Sequence, residues 1–456
     1  MNKPLSHTVH AVVLAVLLAA TLLGLASAHA APAAGFPAGA IAKVGTDPRM
    51  VTSSYAGWNW ANPDYVGYYS NGGRILTVVS LKQAGDGLSV QRVDLSKRRR
   101  VGAARSVSLA GWPDWGGFYA GPDRCLYVLC GRENPGEDDT LDVVAVRRYD
   151  RSWHLLGTAY VKGGATQGGI KGIYSPFEAG SPQMVLDGKR LVVHMSRLIY
   201  AMSGVHHQVN LTFEVDVRSM TARTFDELGG CAYSSHSFRQ LVAMNRGDLV
   251  TIDHGDAYPR AIQLGVMAGY PDQRTVATYD LFEFNGATGD NFTGATVTGL
   301  ASGPSGIVVV GTSIPQPDAP SGPLGSAGER RNVYAIWANP RTGAHLVHWL
   351  TSFAPDGTKD ALEPRIVRVG RDRYAVLFSV ENGGAHSLVY RLVNSAGAVL
   401  ARKSFSRAFF CASSDPILVG SKVYWTGISP SGAPSATRYL FGLNVSNPKR
   451  PSLLRR

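Results

Sequence analysis

Towards the two ends of the stretch from Ser235 to Arg260 the chain places two imidazoles (His236, His254), the Asp256 carboxylate, a phenol (Tyr258) and the guanidiniums of Arg239 and Arg260. Each type has a use in acid–base chemistry. An imidazole accepts a proton near neutral pH, a phenol can return one, and a guanidinium holds a carboxylate in two parallel hydrogen bonds. The middle of the stretch reads as a β-hairpin, with Leu241–Met244 and Leu249–Ile252 flanking an Asn245-Arg246-Gly247-Asp248 turn. Centring the turn on Arg246-Gly247 sets His236 opposite Ala257 and Arg239 opposite His254. The polar residues then gather at one end of the hairpin.

Positioning such groups requires a scaffold, and the sequence supplies a repeated one. Gly- or Pro-punctuated hairpins recur along the chain, seven in all: Val66–Tyr69 with Ile75–Val79, Phe118–Ala120 with Leu126–Leu129, Met184–Leu186 with Leu191–His194, the Ser235–Arg260 hairpin, Thr296–Leu300 with Ile307–Val310, Ile366–Val369 with Tyr374–Phe378, and Ile417–Val419 with Val423–Trp425. More amphipathic strand pairs follow most of them, such as Val143–Tyr149 with His154–Val161 and Leu388–Leu392 with Val399–Ser404. Units of about four strands at this spacing predict an all-β chain folded as a single closed propeller of seven four-stranded antiparallel blades. An unclosed blade would expose an edge, so Ile41–Thr52 is expected to add an outer strand to the C-terminal blade.

In that architecture the residues before each inner strand and after each second strand share one face. His236, His254, Asp256, Tyr258 and Arg260 fall there. So do Arg197 and Tyr200 of the preceding unit, with Asp64, Asp114, Glu133, Glu178, His206, His207, Glu363, Arg365 and Asp415 around them. Trp112 and Trp115 add rings that suit stacking on sugars. We take His236, His254 and Tyr258 as candidate catalytic residues, and Arg260, Arg197, Tyr200, Arg239 and Asp256 as candidate substrate-binding residues. His254-Gly-Asp256 offers two ligand types, but a metal would need others from distant blades. No Cys-x-x-Cys or Cys/His spacing exists, so no metal or other cofactor is expected.

The N-terminus carries Lys3, an apolar run over Ala11–Leu25 and the small-residue site Ala28-His29-Ala30, the pattern of an export signal. The expected organisation is signal peptide 1–30, linker 31–40 and propeller 41–456, in a secreted or periplasmic monomer with no membrane span. Formal net charge is +12, which favours an acidic polysaccharide or cell-envelope ligand; nucleic acid is not expected. The one dense basic run, Lys97-Arg98-Arg99-Arg100, reads as a solvated hairpin turn. Of the four cysteines, Cys125 and Cys130 lie at an odd offset on one strand, which points them to opposite faces and prevents a bond between them. Cys231 and Cys411 are the pair to consider for a disulfide.

On these repeated hairpin blades the mature chain resembles exported bacterial β-propeller proteins in general, with a fold-level analogy to the seven-bladed polysaccharide lyases. That analogy implies His, Tyr and Arg on one propeller face eliminating across a uronate. Arg260 or Arg197 would neutralise the carboxylate, His254 or His236 would take the proton, and Tyr258 would protonate the leaving oxygen. The expected function is binding of an acidic glycan or envelope partner through the rim of that face, with the lyase as the alternative.

Overall fold

The computed structural model describes residues 39–46, 64–82, 85–178, 180–228, 230–272, 275–290, 293–316, 330–406, 408, 414–428 and 437–454. Among them the strands form seven four-stranded antiparallel blades, with no α-helix and a single 3-10 turn at Asp226–Leu228. Inner strands run Val66–Ser70, Asp114–Ala120, Gln183–Asp187, Ser237–Asn245, Ala295–Gly303, Lys359–Gly370 and Ile417–Val419. Each touches the inner strand of the next blade, and the seventh returns to the first, so the ring is closed. All seven hairpins expected from the sequence are present. The signal peptide and the linker lie outside the described residues apart from Gly39 and Ala40.

Closure follows the expected route. Ala40–Thr46 pairs antiparallel with Thr437–Asn444 and becomes the outer strand of blade 7. An N-terminal strand thus covers the edge that the last blade would expose. The blades pack face to face through rows of apolar side chains, for example Leu129 and Val146 of blade 2 with Leu191, Val193 and Phe213 of blade 3, and Val128 on the other face of blade 2 with Val79 and Leu81 of blade 1. At about 25 cal/mol per Å² of apolar area, burial on this scale is what drives assembly. Near the axis the inner strands converge until side chains no longer fit. A Cβ on Gly67 would overlap Phe118 of the next blade, and one on Gly299 would press on Ile366.

Cys125, Cys130 and Cys231 carry free thiols, and Cys125 and Cys130 are not joined, as their offset requires. Burial pushes the Cys130 thiol up to about 12, so it stays protonated as a packing residue. Cys411 lies outside the described residues.

Candidate functional site

The hairpin of blade 4 turns on Arg246 and Gly247, at φ of +54° and +83°, both in the left-handed region that a type I′ turn demands. From Asn245↔Asp248 to Gln240↔Asp253 the register is the expected one. A bulge then intervenes, and Ser237 pairs with Gly255. His254 therefore opposes two residues instead of one, and the polar ends diverge into three environments.

His254 goes inward. It is wholly buried, with Nε2 2.8 Å from the Thr293 hydroxyl and the rings of Phe238 and Phe284 at its edges. Burial, with Arg260 beside it, lowers its pKa to about 3. It is a neutral packing element at neutral pH and is closed to a ligand.

Two of the candidate arginines are spent on backbone. Arg197 is fully buried and donates to the carbonyls of Ala165, Gly172 and Ile170, holding the small hairpin Thr166–Gln167/Ile170–Lys171 against blade 3. Arg260 donates to the carbonyls of Asn285, Asp256 and Asp290 and fixes the loop after blade 4. Tyr200 accepts from Asn134 Nδ2 at 3.3 Å, with Lys171 over its ring. Tyr258 is 70% exposed, and its carbonyl accepts from Ser235 N.

At the rim the structure builds a proton relay. The buried Asp256 carboxylate sits 3.0 Å from His236 Nδ1, and His236 Nε2 sits 3.1 Å from His207 Nδ1. The two imidazole centroids are 5.3 Å apart with planes 14° apart. Two rings joined edge to edge by a hydrogen bond have this separation; rings stacked face to face would be closer. One consistent set of tautomers follows. Asp256 accepts from His236 Nδ1–H, His236 Nε2 accepts from His207 Nδ1–H, and the lone pair left over is His207 Nε2. Burial, together with His236, lowers the His207 pKa. His236 holds φ of +54°, uncommon for a residue with a Cβ. His207 lies on the face expected from the sequence but was not among the candidate residues, because its pairing crosses from blade 3 to blade 4.

Arg239 belongs to the third environment, the channel. Its Nη2 lies 3.6 Å from Asp64 Oδ1, and Arg365 Nη2 donates to the same oxygen at 2.9 Å. Arg365 Nη1 reaches Asp415 Oδ1 at 3.3 Å and the Thr298 carbonyl at 3.2 Å, while Gln183 Nε2 donates to Asp415 Oδ2. Trp115 of blade 2 donates from Nε1 to the Asp64 carbonyl. All seven blades thus contribute to a lattice of ion pairs and hydrogen bonds across the channel mouth. Beside it, Asp114 has one carboxylate oxygen buried without a hydrogen bond. Burial, then Glu133 and Glu178, push its pKa up to about 6.

The outer part of the same face carries an aromatic platform. Tyr160 stacks on Trp112 at 5.6 Å between centroids and is 46% exposed, and the Arg132 guanidinium lies 5.0 Å over the Trp112 ring. Tyr160 also lines a groove of about 400 Å³ between the outer strands of blades 2 and 3, with Asp139, Lys162, Gly164, Arg223 and Glu227. Among the described residues no group of three or more His, Cys, Asp or Glu side chains is arranged to hold a metal ion.

No family model matches the chain, and no curated protein is similar to it in sequence. Solved structures share its architecture. The β-propeller domain of the Trilobed protease from Pyrococcus furiosus is 10% identical with a TM-score of 0.45, over 87% of this chain and 98% of that one. A variant of Synechocystis apocarotenoid oxygenase is 9% identical with a TM-score of 0.42, over 75% and 71%. A prolyl endopeptidase chain is 11% identical with a TM-score of 0.41, over 84% of this chain but 47% of its own. By its own strand order and ring closure the chain is a seven-bladed β-propeller.

Proposed function

We propose that this protein is an exported propeller that binds an acidic glycan of the cell envelope, and that the contact is made at the platform and groove of blades 2 and 3. The observation that carries this reading is Tyr160, a half-exposed ring already stacked on Trp112 and bordering a groove of polar side chains of both signs. A sugar ring needs an apolar face to lie on and donors and acceptors for its hydroxyls. Arg132, Lys162 and Arg223 are the cations near enough to meet a sugar carboxylate. Calorimetry with oligogalacturonates and neutral oligosaccharides tests it. Tyr160→Ala should weaken binding of the acidic oligomer about tenfold, roughly the 1.4 kcal/mol of one good ring contact, without changing the melting temperature. Equal affinity for neutral sugars removes the acidic part of the reading, and no binding at all removes the whole of it.

A lyase is the second reading, and the Asp256–His236–His207 relay favours it. In this version His207 Nε2 is the base in place of His254, and the uronate carboxylate is held by groups other than Arg197 and Arg260, whose guanidiniums are bonded to backbone carbonyls. Incubation with polyuronates should then generate the ultraviolet absorbance of an unsaturated product, and His207→Ala should abolish it. A His207→Ala variant as active as the parent excludes the relay from the reaction.

A further inference from the structure

The underside of the propeller carries a charge pattern that the glycan reading does not use. Four turns of blades 7 and 1 lie there: 70–75 and 94–100 of blade 1 and 419–422 of blade 7, which contribute to one groove, and 445–451 of blade 7, which adjoins 419–422 through Val445 N and the Ser421 carbonyl. They hold eight cations, namely Arg74, the run Lys97–Arg100, Lys422, Lys449 and Arg450, against one carboxylate, Asp94. All of these cations are exposed except Arg98, which is half-buried and close enough to act electrostatically on Tyr424 of blade 7. Asp94 cannot neutralise the set. It is buried and accepts from Ser96 N and Oγ, Lys97 N, and Arg74 Nε and Nη2; these bonds, that of the Ser96 hydroxyl foremost, hold its carboxyl well below the usual carboxylate range. Between the two blades lies a groove of about 580 Å³, walled by Gly73, Arg74 and Ser96 on one side and by Gly420, Ser421 and Lys422 on the other.

We propose that this groove binds a linear polyanion of the phosphate type, with the chain lying between blades 7 and 1. Its shape is a slot with two walls of turns, which suits a strand more than a plane. Among the described residues, none of the large exposed apolar side chains lies on these turns, so nothing on them would enter a lipid layer. The aromatic ring in the groove wall, Tyr424, is 1% exposed, so no platform for a sugar ring exists as it does at Tyr160. Recognition is through charge alone, which is how a phosphate backbone is held. The Lys97–Arg100 run on its own is a solvated turn; ring closure sets the 419–422 turn with Lys422 against blade 1, so that the run follows directly on Leu95 and Ser96 of the groove wall.

The test uses the mature protein and long-chain inorganic polyphosphate in a salt titration. Binding should weaken steeply with salt. A log–log slope of about −3 corresponds to four or five phosphates at about 0.7 per contact for a single strand. Lys97→Glu/Arg99→Glu/Lys422→Glu, all exposed positions, should lose at least a hundredfold in affinity and flatten the slope, with an unchanged melting temperature and unchanged glycan binding. Tyr160→Ala should leave polyphosphate binding intact, which separates this site from the proposed glycan site. No polyphosphate binding at low salt, or a triple variant that binds as tightly as the parent, overturns the proposal. So does wild-type binding to anionic phospholipid vesicles without binding to polyphosphate, since the partner would then be a membrane surface.

Discussion

The two faces of the propeller use their charges in opposite ways. On the upper face the cations singled out by the sequence are consumed by the protein itself: Arg197 and Arg260 by backbone carbonyls, Arg365 by Asp64 and Asp415, and Arg239 by Asp64. Under blades 7 and 1, among the described residues, Arg74 is the cation ion-paired with the one carboxylate of these turns, and the rest are exposed except the half-buried Arg98. A chain with a large positive charge therefore does not present it where the polar residues are densest. The upper face spends guanidinium groups on holding loops and the channel mouth in place, and the lower turns of blades 7 and 1 keep theirs available, unlike the lower turns of blades 4 and 5, where Arg341 is paired with Asp248.

That contrast is easiest to break by removing one cation from each face. Arg365 is 5% exposed, and its loss would leave Asp64, 18% exposed, beside Asp415 with the longer 3.6 Å contact to Arg239 in place of the 2.9 Å pair. Deleting one partner of a mostly buried pair costs about 3 kcal/mol or more, so Arg365→Ala should unfold well below the parent in a urea titration. Lys422→Ala, on an exposed turn, should stay within about 0.5 kcal/mol. Equal losses at the two positions would mean that the channel lattice is as loosely held as the underside and that the comparison fails.

Much of the scaffold was legible because it is local. A hairpin announces itself through two apolar runs and a turn, and seven at one spacing leave few architectures. The closing strand was legible from edge logic alone. The site was less so, for reasons that can be named. One bulge between Ser237 and Gln240 sent Arg239 into the channel, His254 into the wall and His236 to the rim, though each lay at the expected end of the hairpin. Occupancy was invisible too: nothing in the residue type of Arg197 says that three carbonyls surround it. The pairs that matter most, His207 with His236 and Asp64 with Arg365, join different blades. Asp64 and Arg365 stand 301 positions apart, and no local pattern encodes such a meeting.

The smallest effect expected concerns Asp114, where the upper face leaves a charge uncompensated. Its carboxyl is partly buried near Glu133 and Glu178, no ion pair is formed with it among the described residues, and burial and these two carboxylates push its pKa up to about 6. A carboxyl held above its unfolded value binds its proton more tightly in the native state. Stability contributed by this group is therefore present in acid and falls as pH rises between about 4 and 6, because the unfolded chain gives up its proton first. Asp114→Asn keeps the shape and removes the charge. It should raise stability at pH 7.5 by on the order of 1 kcal/mol, since partial exposure screens the full shift, and change it little at pH 4. Paired thermal melts at the two pH values provide the measurement. A variant less stable than the parent at pH 7.5 would mean that Asp114 has a cationic partner across the channel mouth, and that the upper face is as fully paired there as it is around Arg365.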